Sequence, residues 1–203
     1  MKFHSKLAAA LLSMTVAGGA WAAADPVYGD PGTMNPVSYT FEAVATGHVY
    51  AYFLGESADY TEVLGMSTAG STTPIGKVGL SNQTSKRGQK IDLGKVTQGE
   101  IVTFFIDVTT TGKVWSSQTD LNSDDANHVY STTFAKSGHI PMGTFISFED
   151  IAKNAKSDFD YNDTSFLITN VAIAPAVPEP ANVALLLAGL GLMGVAARRR
   201  RGR

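Results

Sequence analysis

The stretch "GEIVTFFIDVTT", from Gly99 to Thr110, indicates the fold class more clearly than any other part of the sequence. In an extended strand, successive side chains point to opposite faces of the sheet. One face of this stretch is wholly apolar and consists of Val102, Phe104, Ile106 and Val108. The other face is mixed and consists of Ile101, Thr103, Phe105 and Asp107. A helix would scatter both sets around its surface, so the alternation predicts a strand with one face in a core.

Short runs of similar composition fill the region 23–176, where Gly, Asn, Asp and Ser separate them. About ten such runs, spaced roughly 10 to 15 residues apart, are typical of an all-β domain. We therefore predict an antiparallel β-sandwich of the jelly-roll kind. Two early runs, "VSYTFEAVA" (37–45) and "HVYAYFLG" (48–55), are only two residues apart, which predicts a hairpin.

Residues 1–22 have the pattern of a secretory signal peptide. Lys2 and Lys6 precede an apolar run, and small residues near Ala22 form a cleavage site, so we expect cleavage after Ala22 or Ala24. This signal predicts that the secretion translocon exports the region 23–176.

The other end carries a second apolar segment, residues 181–197, with 17 residues and no charge. As a helix it would be about 25 Å long, near the lower limit for crossing a bilayer. Five arginines follow it, namely Arg198, Arg199, Arg200, Arg201 and Arg203. Because arginines beside a membrane helix stay in the cytoplasm, this segment predicts a transmembrane anchor with the region 23–176 on the outer side.

The composition indicates how the exported part is stabilised and which partners it can bind. The chain has no cysteine, so no disulfide stabilises the exported part. Between the two apolar ends lie nine Lys and Arg against all 18 Asp and Glu of the chain, a net charge of −9. Such a surface repels nucleic acid and attracts divalent cations.

The tail has a recognisable order of parts. Val177, Pro178, Glu179 and Pro180 precede the apolar segment, and the arginines end the chain. This arrangement resembles the PEP-CTERM sorting signal. The resemblance implies that an exosortase processes a membrane-anchored precursor, which then reaches the cell surface or the extracellular matrix. It makes extracellular polysaccharide a candidate partner.

The stretch "FEDIAKNAKSDFDYND", from Phe148 to Asp163, holds five carboxylates and two lysines. Asp158, Asp160 and Asn162 occupy alternate positions, so in an extended chain their side chains would share one side. Ca²⁺ accepts six to eight oxygen ligands. We interpret the stretch as a Ca²⁺ site with six candidate ligands: Glu149, Asp150, Asp158, Asp160, Asn162 and Asp163.

The acidic stretch has other possible interpretations, of which some are excluded by the sequence and some stay open. An EF-hand is excluded, because Asp163 stands where its loop needs Gly and Thr169 where it needs Glu. Zinc is disfavoured, because the chain has no cysteine and its histidines show no paired spacing. Two alternatives stay open, in which the acids either form turns through Asx hydrogen bonds or make a solvated face.

The wider segment 143–168, "GTFISFEDIAKNAKSDFDYNDTSFLI", resembles an uncharacterised domain of secreted bacterial proteins. Its signature is Phe-Glu-Asp followed by Asp-x-Asp-Tyr-Asn-Asp, here Phe148, Glu149, Asp150, Asp158, Asp160, Tyr161, Asn162 and Asp163. The sequence "AKNAK" replaces the glycines typical of the intervening loop. The resemblance implies Ca²⁺ binding, and it does not imply any catalytic activity.

These observations predict a non-catalytic, exported surface protein with a Ca²⁺-stabilised sandwich. A carbohydrate-binding or adhesive module is an alternative, since six aromatic residues collect between Tyr39 and Tyr60, although core packing also explains them. A hydrolase with paired carboxylates is a further alternative. No nucleophile elbow, phosphate loop or histidine metal motif supports it.

Overall fold

The computed structural model describes residues 24–68 and 79–174. This part of the chain is all-β, as predicted, with two 3-10 turns at Thr119–Leu121 and Lys153–Ala155. Among the described residues, no helix has the length and apolar character needed to cross a membrane. The predicted signal peptide (1–22) and anchor helix (181–197) lie outside the described residues.

Within residues 24–68 and 79–174, ten strands form two antiparallel sheets. In chain order they are β1 (Phe41–Ala43), β2 (Gly47–Glu56), β3 (Glu62–Thr68), β4 (Lys90–Val96), β5 (Ile101–Val108), β6 (Lys113–Ser116), β7 (Val129–Phe134), β8 (Gly143–Phe148), β9 (Thr164–Thr169) and β10 (Val171–Ile173). The first sheet has the order β10-β1-β5-β3, and β6 also pairs with β5. The second sheet has the order β4-β2-β9-β8-β7.

The two sheets share one apolar core. The predicted inner face of β5 lies in it, since Val102, Phe104, Ile106 and Val108 are all buried there. Side chains from β2, β8 and β9 of the second sheet belong to the same cluster. The alternation read from "GEIVTFFIDVTT" is therefore confirmed, and the fold is of the sandwich type. The finer jelly-roll connectivity stays a prediction.

The predicted hairpin between the first two strands is wrong. β1 pairs with β5 and β10 in the first sheet, whereas β2 pairs with β4 and β9 in the second. The chain crosses between sheets just after β1, where Asn170 binds the backbone N–H and carbonyl of Ala45 at 3.0 and 2.9 Å. Asn170 also separates β9 from β10 with a positive φ of 62°. The chain also changes sheets between β9 and β10, so the Asn170 side chain connects two places where it does so.

The segment that precedes β1 lies on the outer face of the second sheet. The Tyr28 ring contacts those of Tyr130 and Tyr161, with centroids 5.4 and 4.8 Å apart. Arg87 forms two hydrogen bonds with the Asp25 carboxylate, at 2.5 and 2.7 Å. The early aromatics mostly serve packing, because Phe41 and Phe53 are core residues and Tyr39 and Tyr60 pack against the core.

Candidate metal centre

The acidic stretch forms the connection between β8 and β9. These strands are paired neighbours in which Phe148 lies opposite Thr164, so both ends of the connection meet at one edge of the sandwich. The backbone N–H of Asp150 donates to the Asp163 carboxylate at 2.6 Å. Residues at the two ends of the stretch are therefore brought together, as the sequence analysis required for a shared site.

Two rings from the neighbouring strands hold the backbone at the start of this connection. The Trp115 indole N–H donates to the carbonyl oxygen of Asp150 at 2.7 Å. His128 Nδ1 lies 2.8 Å from the carbonyl oxygen of Glu149. Because both carbonyls are occupied and their residues are buried, the direction of the two carboxylates is fixed by the fold.

The later part of the connection is not extended. Phe159 and Tyr161 have positive φ angles of 47° and 54°, which is uncommon for bulky side chains. The bends bury Tyr161, whose hydroxyl donates to Asn127 O at 3.0 Å and accepts from Asn35 N at 2.8 Å. Tyr161 thereby anchors the connection. The backbone is bent where the prediction assumed an extended chain, yet the alternate side chains still converge, because ligand oxygens of Asp158 and Asp160 lie within 4.8 Å of each other.

The carboxylates of the connection form two groups that share one member. The first group contains Glu149, Asp158 and Asp160, and the second contains Glu149, Asp150 and Asp163. Within each group, one ligand oxygen per residue lies within 4.8 Å of the others. The sixth predicted ligand, Asn162, is exposed and donates its side-chain amide to Asp160.

Burial separates this site from a solvated acidic face. Glu149 has no exposed surface, and Asp150 and Asp163 are also buried. Neither carboxylate oxygen of Glu149 has a hydrogen-bond partner of normal geometry, although Ser157 lies close enough to favour its charged form. The alternative of a solvated acidic face is therefore wrong for these three residues. Turn formation explains the contacts of Asp160 and Asp163 but leaves Glu149 unexplained.

A further carboxylate, which the sequence analysis missed, lies beside this group. Glu62 opens β3 of the first sheet, exposes 1% of its surface and has no hydrogen-bond partner of normal geometry for either oxygen. Its carboxyl approaches that of Asp150. A sequence signal existed, because alternation in "TEVLGM" puts Glu62 on the same face as Leu64 and Met66, which are core residues. We call Glu62, Glu149, Asp150, Asp158, Asp160 and Asp163 the acidic cluster.

The electrostatics of the acidic cluster disfavour six negative charges. Burial, followed by the charges of Asp158, Asp160 and Asp150, raises the pKa of Glu149 to about 7. Burial, followed by the nearby Glu149 charge, also raises the pKa of Asp163. In the described ranges, no lysine, arginine or histidine forms an ion pair with a member of the cluster. Protons or a cation must therefore compensate the cluster at neutral pH.

The donor set fits a hard cation. Ca²⁺ binds oxygens at about 2.3–2.6 Å, so two ligands of one ion can be roughly 5 Å apart. The 4.8 Å limit within each group is compatible with that span. Zinc fits less well, because the groups offer only carboxylates and both ring nitrogens of nearby His128 are used, by Glu149 O and by Asp124.

Comparison with known protein families matches residues 176–201 to the PEP-CTERM protein-sorting motif. The chain carries a PEP-CTERM sorting motif. The match includes the predicted junction from Val177 to Pro180 and the arginines up to Arg201, whereas Arg203 lies outside it. The PEP-CTERM motif implies export, a membrane-associated precursor, processing by an exosortase and surface display. No curated protein and no solved structure matches the chain significantly.

Proposed function

We propose that this PEP-CTERM protein is a non-catalytic surface protein whose all-β domain is stabilised by Ca²⁺ bound to the acidic cluster. The resemblance of residues 143–168 to a secreted domain supports this proposal, as does the oxygen-only donor set. The surroundings of one side chain, Glu149, support it most strongly.

The carboxylate of Glu149 carries the proposal because it is fully buried without a partner. An isolated buried carboxylate costs several kcal/mol relative to one in water, so proteins either neutralise it or pair it. Here the nearest charges are further carboxylates, which increase that cost. A bound divalent cation would reverse the sign of this interaction for every carboxylate it contacts.

Export gives the site access to Ca²⁺. Calcium sites of extracellular modules typically have dissociation constants of about 10⁻⁴ to 10⁻³ M, matched to millimolar calcium outside cells. A tighter site of about 10⁻⁵ M is at a hundredfold excess in about 1 mM calcium, and binding to the folded state alone then adds about 2.7 kcal/mol to the free energy of unfolding. For a chain without a disulfide, that is a sizeable part of a typical total of about 5–15 kcal/mol.

A structural role accounts for the buried acids better than catalysis does. Glycosidase carboxylates flank their substrate at separations of about 5 to 9.5 Å and must be reached by it. Glu62 and Glu149 are closed off from solvent, and the ligand oxygens of each group converge within 4.8 Å. This geometry suits contact with one small ion better than a sugar ring between two carboxyls.

The direct test is a calcium titration of the full chain by isothermal titration calorimetry at fixed ionic strength. The expected result is saturable binding that the isosteric variant Glu149→Gln abolishes. The control is Asp59→Asn, which removes an exposed carboxylate near the cluster that belongs to neither ligand group. Equal binding heats for the wild type and Glu149→Gln would contradict the proposal.

One observation favours a second candidate function, carbohydrate binding. A surface cleft of about 450 Å³ is lined by Tyr28, Glu56, Asp160 and Asn162, among others. Aromatic faces pack on sugar rings, and carboxylates and amides accept hydrogen bonds from hydroxyls. Co-sedimentation with purified extracellular polysaccharide tests this function. Loss of binding in Tyr28→Ala would support it, and equal sedimentation of variant and wild type would contradict it.

A further inference from the structure

The division of the acidic cluster into two groups limits what one ion can contact. An ion with bonds of about 2.3–2.6 Å can join oxygens up to roughly 5 Å apart. Asp158 and Asp160 meet that condition with Glu149, and so do Asp150 and Asp163, but the two pairs do not fall into one common group. Glu149 is the only residue common to the two groups found among the described residues.

The charge of the acidic cluster also favours two ions over one. Six carboxylates form the acidic cluster, and one Ca²⁺ compensates only two of their negative charges. The two lysines of the connection, Lys153 and Lys156, are exposed and form no ion pair with the cluster in the described part of the chain. One ion would leave four negative charges that only bound protons could compensate, whereas a second ion compensates two of them directly.

Glu62 supplies an observation that does not depend on the acidic connection. Both of its oxygens are buried and lack a hydrogen-bond partner of normal geometry, and the group nearest to its carboxyl is that of Asp150, close enough to share a proton with it. Its backbone is fixed, because Asn82 accepts from the Glu62 N–H at 2.9 Å and donates its side-chain amide to Tyr60 O at 2.7 Å. The fold therefore holds a second buried carboxyl, from the opposite sheet, against the inner group.

We propose that the acidic cluster binds two calcium ions bridged by the Glu149 carboxylate. The inner ion is bound by Glu149, Asp150 and Asp163. Glu62 lies outside both 4.8 Å groups and reaches this ion from the first sheet by a rotation of its side chain. The outer ion is bound by Glu149, Asp158 and Asp160. This inference rests on the proposed calcium site and adds its number of ions, its bridging residue and a ligand from β3.

The two ions have different roles in this arrangement. The inner ion joins β3 of the first sheet to the β8–β9 connection of the second, so it acts as a cross-link across the sandwich. The outer ion holds only residues of the connection, where Asp158 is exposed and Asp160 is half-buried. It therefore exchanges with solvent calcium more readily than the inner ion.

The experiment is a count of bound calcium per chain by equilibrium dialysis with radioactive calcium. It uses the full chain in detergent, at physiological ionic strength to suppress loose binding to the acidic surface. Four variants are compared with the wild type. Glu62→Gln removes a ligand of the inner ion, Asp158→Asn removes one of the outer ion, Glu149→Gln removes the bridge, and Asp59→Asn is the control.

The wild type and Asp59→Asn are expected to bind two ions, Glu62→Gln and Asp158→Asn one, and Glu149→Gln none. A wild-type count of one overturns the two-ion inference and leaves the proposed function standing, whereas a count of zero overturns both. Two ions in Glu62→Gln overturn the role of Glu62. If that variant does not fold, Glu62→Asp, which shortens the side chain, should weaken one of the two sites at least about tenfold. Unchanged affinity in Glu62→Asp overturns the same role.

Discussion

Trp115 stacks face to face on His128, with ring centroids 3.9 Å apart and ring planes 6° from parallel. Each ring contacts one carbonyl of the acidic connection, Trp115 that of Asp150 and His128 that of Glu149. The pair comes from β6 and the residue just before β7, which lie in different sheets. The stack therefore fixes the backbone from which two buried carboxylates project.

The first prediction concerns this stack. Trp115→Phe removes the indole N–H, so the buried carbonyl of Asp150 loses its donor, and the smaller ring leaves a void. We expect the free energy of unfolding to fall by about 2–4 kcal/mol in denaturant titrations and calcium affinity to weaken. Val114→Ala, at an exposed position of the same strand, is the control and should change little. Equal stability of Trp115→Phe and wild type would contradict this role.

The second prediction concerns pH. In the absence of calcium, the pKa of Glu149 is raised by burial and neighbouring acids from 4.5 to about 7, so the folded state binds this proton more tightly than the unfolded state. The resulting stability is fully present below pH 4.5 and is lost as the pH rises to about 7. The shift corresponds to about 3 kcal/mol at most. Burial raises the pKa of Asp163 as well, which adds to the loss and carries it to higher pH.

Urea unfolding with a chelator at a series of pH values measures this effect. We expect stability to fall from about pH 4.5 upward and Glu149→Gln to make the fall between about pH 4.5 and 7 less steep. The raised pKa values of Asp163 and Glu62 continue the fall at higher pH in both proteins. Calcium should counteract the fall at high pH, because it competes with protons for the same carboxylates. A chelated wild type whose stability rises over this interval would show that the buried acids are ionised without cost.

The third prediction concerns packing at the start of β8. A Cβ on Gly143 would lie 2.5 Å from the carbonyl oxygen of Ile168, which is backbone of β9 and cannot move aside easily. We expect Gly143→Ala to cost about 1–3 kcal/mol in chemical unfolding. Gly55→Ala is the matched control, since this strand glycine has open space around its Cβ direction. Equal stability of the two variants would mean that the β8–β9 pairing is looser than described.

The fourth prediction concerns sorting. Because the PEP-CTERM motif implies exosortase processing, the surface-extracted protein should end near the junction Val177–Pro180. Mass spectrometry of the intact protein measures this end. Replacement of Pro178 and Pro180 by alanine should leave the precursor in the membrane. Recovery of surface protein that still ends at Arg203 would contradict processing.

Much of the fold was readable from the sequence because local alternation and core burial agree in β5. The inner face of this strand was predicted residue by residue and lies in the core. The first hairpin was mispredicted for a physical reason. A two-residue gap permits a hairpin, but Asn170, far along the chain, binds Ala45 where the chain instead changes sheets.

In the acidic connection, too, the features that depend on residues far apart in sequence were not predicted. Its five carboxylates were recognised as candidates because they are close in sequence, and the structure brings them together. Glu62 was missed because tertiary pairing alone brings β3 to the site. The burial of Glu149 was missed because it depends on Trp115 and His128, which hold its segment from two other strands. A charged residue at a core-facing position of an alternating strand was the signal that could have identified Glu62.

The most direct test of the account is the melting temperature of the full chain in about 1 mM calcium compared with excess chelator. If calcium stabilises the folded state by about 2.7 kcal/mol, the melting temperature should be roughly 5–10 °C higher with calcium. Glu149→Gln, which removes the residue common to both ligand groups, should lose most of this difference, and Asp59→Asn should keep it. Identical melting of the wild type with calcium and with chelator would contradict the central claim that the buried acids are a calcium site.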